Sequence, residues 1–305
     1  MAADTGIAAG DGLRTETGTD RMIEVDGVRL YVRDEGSGAP LVLLHGFPFD
    51  SRIWDRVSGL LSDEFRVIRL DLRGFGRSQA PRDGYSTPRL AADVLAALDV
   101  LGVRTFTLVG HDWGGWIGYE LALTAPERVR ALIIVGAVHP WRLKRESLPN
   151  AWRFWHTFAF EHVMLGRLVL TRAPWFTRRL IRHWSADPAR LDEELIASFA
   201  RKLQEPARAR AGELLHRRFV TRDIRLLAMG HYRRLRLTVP ALALYGDRDP
   251  VAPASAARRP IAQADQLTSH VLADCGHIAP LEQPGAVADA IRSFSADARQ
   301  GARPS

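Results

Sequence analysis

Leu108-Val109-Gly110-His111-Asp112-Trp113-Gly114-Gly115-Trp116 is the stretch around which the chain organises itself. An apolar run over 106–109 leads in, and a helical pattern over 117–125 leads out. The frame Gly-x-Asp-x-Gly between them fits the sharp strand-to-helix turn called a nucleophile elbow; by itself it fits a plain turn aspartate as well, and the rest of the chain decides between the two. Glycines at 110 and 114 allow two backbones to pass where a Cβ would clash. Asp112 is then held up at the carboxyl end of a strand. Most elbows carry Ser there, which attacks carbonyls. A carboxylate is weak toward amides and esters but able to attack an electrophilic saturated carbon, forming an alkyl ester.

Outward from this turn, the chain alternates strand and helix. Residues 22–33 alternate apolar and polar around Asp26-Gly27, a hairpin signature. Residues 41–44 form a short apolar run between glycine-rich turns, as a buried strand does. His45-Gly46-Phe47-Pro48 sits at its end. A helix is expected over 54–61, a strand over 65–70, a helix over 90–101 and a strand over 131–135. The alternation stops at Val138-His139-Pro140. From 141 to 236 the pattern is helical, strand-poor and rich in aromatics, which predicts an inserted helical cap. Strands return over 240–245 and 269–272, followed by a helix near 286–294. Such alternation argues a mostly parallel sheet covered by helices on both faces. The expected organisation is a disordered tail over 1–20, an α/β core over 21–140 and 237–300, and a cap over 141–236.

Composition excludes several classes. With 46% hydrophobic and 25% charged residues, the 305-residue chain reads as globular. No apolar run approaches a bilayer span, so membrane insertion is not expected. Residues 1–20 lack the basic and apolar regions of a signal peptide. The single cysteine, Cys275, excludes an internal disulfide and a multi-cysteine metal site. A cytoplasmic location is the corresponding expectation. Residues 141–236 carry 21 Lys and Arg against 9 Asp and Glu, although the whole chain is only +7. The arginines are scattered without a stripe or motif, so they read as a solvated face and no nucleic-acid partner is expected.

Three further pieces fall at expected strand ends. Gly246-Asp247-Arg248-Asp249-Pro250 offers an acid, Gly276-His277-Ile278 offers a base, and His45-Gly46-Phe47-Pro48 offers backbone donors. The chain order nucleophile, acid, histidine is that of the α/β-hydrolase fold. Over roughly 24–296 the sequence resembles its epoxide hydrolase and haloalkane dehalogenase branch. Gly110-His111-Asp112-Trp113-Gly114-Gly115 is similar to the epoxide hydrolase elbow, and so is Pro126-Glu127-Arg128-Val129-Arg130 after the next helix. The His-Gly-Phe-Pro piece is similar too, and in that family the bond before the proline is often cis. The fold expected is therefore an α/β-hydrolase fold: a mostly parallel sheet of the eight-stranded type, helices on both faces and an inserted helical cap.

The resemblance implies roles. Asp112 attacks carbon and forms the ester. His277 takes a proton from the water that hydrolyses it. Asp249 orients His277; Asp247 is the rival, and the family frame Gly-x-x-Asp favours 249. The N–H groups of Phe47 and Trp113 form the oxyanion hole, an effect of roughly 3 kcal/mol per donor. His45, Pro48 and Trp155 are expected to line the substrate pocket.

An epoxide and a halide ask different things of the cap. An opened epoxide leaves an alkoxide that needs a proton, whereas a halide needs only N–H dipoles or positive charge. Tyr232 stands where epoxide hydrolases carry one ring-opening tyrosine. The other expected tyrosine is absent from the aromatic stretch 152–161, and His156 takes its place. This resembles a smaller group of epoxide hydrolases that use a His–Tyr pair. For both residues, cap packing is the competing reading. Fluoroacetate dehalogenases are also similar here, but they have Trp at the position of Thr157 and arginines at those of Trp113 and Trp116. Trp113 could hold a halide, although Phe47 fills the Asn position common in haloalkane dehalogenases.

The expectation is an enzyme without cofactor or metal that adds water to a small apolar epoxide to give a vicinal diol. The rivals are a haloalkane or haloacid dehalogenase with the same triad, and a non-catalytic ligand-binding protein of this fold. A serine esterase would need Ser at 112. A homodimer stays open.

Overall fold

A computed structural model describes residues 14–15, 18–141, 165–258 and 261–301. Nine strands among these form one sheet in the order β1-β2-β3-β5-β4-β6-β7-β8-β9. They are β1 (Arg14–Thr15), β2 (Gly18–Val25), β3 (Val28–Glu35), β4 (Ala39–Leu44), β5 (Phe65–Leu70), β6 (Phe106–His111), β7 (Val129–Val135), β8 (Ala241–Gly246) and β9 (Leu267–Leu272). Strands β1, β2 and β3 run antiparallel up to β5, and all pairs from β5 to β9 are parallel. The fold is thus the expected α/β one, and eight of the strands have six or more residues.

The β2–β3 hairpin turns at Asp26 and Gly27, both at positive φ (46° and 72°). That pair matches the twist of antiparallel strands. Sheet pairing starts earlier than expected: Gly18, Thr19 and Asp20 pair with Glu35, Asp34 and Arg33, inside the segment read as tail. Polar residues form this edge pairing, so no hydrophobic alternation announces it.

Central strands read as continuous apolar runs because helices cover both faces. Leu41, Val42, Leu43 and Leu44 of β4 are all fully buried, each stabilising the fold by roughly 1.5–3 kcal/mol. Helices α1 (Asp55–Leu61), α2 (Thr87–Val100) and α3 (Trp113–Thr124) follow β4, β5 and β6 in turn. Between β7 and β8 the described residues are helical: Leu165–Arg172, Pro174–Trp184, Glu193–Leu203 and Pro206–Arg218, continuing into a π-helical turn, Phe219–Ile224. A final helix, Pro284–Gly301, packs on α1.

The turn from β6 into α3 places Asp112 at φ 51°, ψ −114°, a sparsely populated region that only its surroundings can hold. The Asp112 N–H donates to Val135 O at 3.1 Å, and its carbonyl accepts from Gly115 and Trp116 at 2.9 and 3.2 Å. A Cβ on Gly110 would stand 2.2 Å from Gly114 O, and one on Gly114 2.3 Å from Leu44 O. Both obstacles are backbone, so neither can swing aside. Gly114→Ala is expected to lower the unfolding free energy by at least about 2 kcal/mol, read as a lower urea midpoint.

Candidate active site

Parallel strands gather their carboxyl ends on one edge of the sheet, where ligands of such sheets bind. Asp112 follows β6, Asp249 lies three residues after β8, His277 follows β9, and Phe47 lies three residues after β4. The structure brings all four together.

His277 Nδ1 lies 3.0 Å from Asp249 Oδ2, and Nε2 lies 3.8 Å from Asp112 Oδ1. The first is a hydrogen bond; the second is an ion-pair separation. Asp249 is itself locked, its Oδ1 accepting the N–H groups of Val251 at 2.7 Å and Ala252 at 2.8 Å. Asp247 takes a different partner, the Cys275 N–H at 3.1 Å, and is not beside His277. Of the two acids open in the sequence, Asp249 meets the imidazole. On the other side of Asp112, Oδ2 accepts the Phe47 N–H at 3.0 Å, and the Trp113 N–H also bonds this carboxylate.

Burial alone would strip the proton from His277, but the charges of Asp249 and Asp112 outweigh it and push the pKa up to about 10. Burial likewise opposes the Asp112 anion, yet contact with the His277 imidazole and the Trp113 N–H holds its carboxyl below the ordinary value. Both shifts favour an imidazolium beside the Asp112 carboxylate. The backbone of His277 is also tied: its N–H donates to Trp184 O at 2.7 Å, and its carbonyl accepts from His111 Nε2 at 3.0 Å.

Above Asp112 lies a cavity of about 140 Å³. Its walls are aromatic, with Phe47, Trp113, Trp116, Trp184 and Phe219, and His216 and His277 face it as well. Among the described residues no Lys or Arg lines it.

Several pocket expectations need correcting. His45 and Pro48 do not line the cavity. His45 is fully buried, and its Nε2 accepts the Leu72 N–H at 2.9 Å. Its proton therefore sits on Nδ1 and is donated to Gly46 O at 2.9 Å, which braces the turn that carries Phe47. Burial pushes its pKa down. Pro48 follows a cis peptide bond and is buried beneath that turn. Tyr232 is also absent from the cavity. Its hydroxyl accepts from Arg222, and burial together with the charges of Asp223 and Glu120 pushes the phenol up to about 12. Its carbonyl accepts from Trp141 Nε1 at 2.7 Å. The left-handed turn at Gly230 (φ 73°) starts the 3-10 turn that carries Tyr232. His156 and Trp155 lie outside the described residues.

His216 and Trp184 occupy cavity positions that the sequence reading missed. The His216 ring meets Phe47 edge-on at 4.5 Å and Trp113 at 5.6 Å. Its Nδ1 donates to Gly212 O, one turn back, at 2.7 Å. Burial pushes it down to about 4, so it is neutral. No local sequence signal marked it, because its place in the cavity wall depends on how the helices pack. Among the described residues no cluster of three or more His, Cys, Asp or Glu could hold a metal ion, and no helix is long and apolar enough to cross a membrane.

An elbow residue after β6, an acid after β8 and a histidine after β9 are the arrangement of the α/β hydrolases, and residues 39–284 match the α/β hydrolase fold family. The chain belongs to that family and is a hydrolase. A soluble epoxide hydrolase from Corynebacterium sp. (strain C12) is 28% identical over 287 residues, 92% of this chain and 98% of that one. A fluoroacetate dehalogenase from Burkholderia sp. is 35% identical over 148 residues, 46% of this chain and 48% of that one. The crystal structure of wild-type Cfl2 from Burkholderia cenocepacia superposes with a TM-score of 0.79 at 31% identity, covering 91% of this chain and 96% of that one.

The raised pKa of His277 makes stability depend on pH. Its proton is held more tightly in the folded than in the unfolded chain, whose histidine pKa is about 6.5. The stabilisation is therefore complete below about 6.5 and is lost as pH rises through the folded value of about 10. Between these limits the melting temperature of the wild type should fall relative to that of His277→Gln. Below them the gap should stay constant.

Proposed function

We propose that this protein hydrolyses small, neutral epoxides to vicinal diols through an ester on Asp112. The observation that carries the reading is a carboxylate, not a hydroxyl, on the elbow, with His277 Nε2 3.8 Å from one oxygen and the Phe47 N–H 3.0 Å from the other. The epoxide hydrolase relative that spans 92% of the chain supports the choice of substrate.

Oδ1 of Asp112 attacks a ring carbon while the carbon–oxygen bond breaks and the electrons leave with the oxygen. The alkoxide takes a proton, for which His156 is the proposed donor. Esterification also removes one of the two carboxylates that hold the His277 proton. The imidazolium becomes more acidic at that moment, releases its proton to solvent, from which the donor to the alkoxide is reprotonated, and becomes the neutral base that the next step needs. Water then attacks Cγ of Asp112 as His277 takes its proton, and Asp249 stabilises the imidazolium. The negative charge on the Asp112 oxygen is met by the N–H groups of Phe47 and Trp113. Collapse releases the diol and restores the carboxylate.

A dehalogenase is the second reading, favoured by the dehalogenase relative and by Trp113 in the cavity wall. The absence of a described cation in that wall weighs against a carboxylate-bearing substrate. No partner beyond a small apolar epoxide and water is required.

The test is epibromohydrin mixed with His277→Gln, read by intact mass. The expected adduct adds the whole molecule and keeps bromine's isotope doublet. An adduct without bromine, with bromide released, would replace this reading by the dehalogenase. No adduct, together with no wild-type turnover of a panel of small epoxides, would leave a binding protein. Because the Tyr232 hydroxyl is engaged by Arg222, Tyr232→Phe should keep its turnover within a factor of about three, under 1 kcal/mol of barrier.

A further inference from the structure

His111 precedes Asp112 and is fully buried, yet none of the steps above uses it. Its ring lies 5.0 Å from that of His277 and 5.7 Å from that of Phe49. Nε2 is 3.0 Å from the His277 carbonyl. A carbonyl only accepts, so this nitrogen carries the proton and Nδ1 is bare. Nδ1 is buried with no hydrogen-bond partner among the described residues. A leucine would fill the space without leaving a polar atom unpaired, so packing does not explain an imidazole here. Burial and the neighbouring His277 charge push its pKa down to about 3, so it keeps one proton on one nitrogen throughout the working pH range.

His277 is restrained at three polar points. Asp249 holds its ring, and Trp184 O holds its N–H. The third point, its carbonyl, is held by a side chain on the strand that carries the nucleophile. Nucleophile strand and base loop are thus linked by one hydrogen bond from the residue next to Asp112. We propose that His111 is a positioning residue, whose Nε2–H bond to the His277 carbonyl sets the imidazole for ester hydrolysis. This rests on the reading of Asp112 and His277 given above.

The two steps separate this role from a packing role. The ratio kcat/KM covers binding and alkylation only, whereas decay of the ester reports His277. A displaced His277 slows ester decay and leaves kcat/KM unchanged. A distorted pocket lowers kcat/KM and accumulates no ester. The variants are His111→Gln, whose amide nitrogen reaches the Nε2 position, and His111→Asn, whose shorter amide does not.

Each variant is loaded with epibromohydrin, freed of excess reagent and followed by intact mass. In His111→Asn the adduct should decay about 10- to 100-fold more slowly than in the wild type, with kcat/KM unchanged. His111→Gln should restore most of the rate. Wild-type decay in His111→Asn, or equal loss in both variants, overturns the proposal, as does a fall in kcat/KM without adduct. Melting curves identify a variant that fails to fold, in which case His111→Gln alone decides: its donor must keep decay near the wild-type rate. If His277→Gln forms no ester and the wild type turns over no epoxide, the functional reading fails, and that outcome is distinct from each of these.

Discussion

At Gly110 and Gly114 two stretches of backbone cross where no side-chain carbon fits, and the rest of the site is placed by that crossing. The Gly114 backbone lies against the Leu44 carbonyl, at the end of β4. Closeness there brings the turn after β4 beneath the turn after β6, and the Phe47 N–H reaches Asp112. His45 braces that turn from within, accepting from Leu72 and donating to Gly46. A carboxylate could be held on a longer side chain or a mobile loop. Here it is fixed by a backbone conformation with few alternatives.

The charges follow from the same placement. Asp112 and Asp249 lie at the ends of different strands, yet one buried imidazole spans the gap between them. Neither carboxylate would be comfortable alone in this apolar surround. Sharing a protonated histidine satisfies both, and it links the protonation of His277 to the chemical state of Asp112.

Much of this was legible in the sequence. Short apolar runs ending in Gly-x-Asp-x-Gly, Gly-x-x-Asp and Gly-His mark strand ends by local chemistry, and strand ends share one edge of a parallel sheet. The pairing between Asp249 and His277 required geometry, because Asp247 sits two residues away with the same side chain. What was not legible lies in the helices between β7 and β8. There, a residue's distance from Asp112 depends on how helices pack, which spacing along the chain does not encode. Tyr232 pairs with Arg222, and His216 lines the cavity from another helix. His45, expected in the pocket, is instead spent on the backbone, accepting from Leu72 and donating to Gly46. The edge strand over 18–20 is polar and escaped the hydrophobic pattern.

The helix Pro174–Trp184 ends against the base loop. Trp184 O takes the His277 N–H, the two rings lie 5.5 Å apart, and Glu282 accepts from Ala186 and Gly276 together. That end of the helix and the loop carrying His277 are tied to one another through backbone and carboxylate contacts, so a displacement of the helix at Trp184 would carry the imidazole with it.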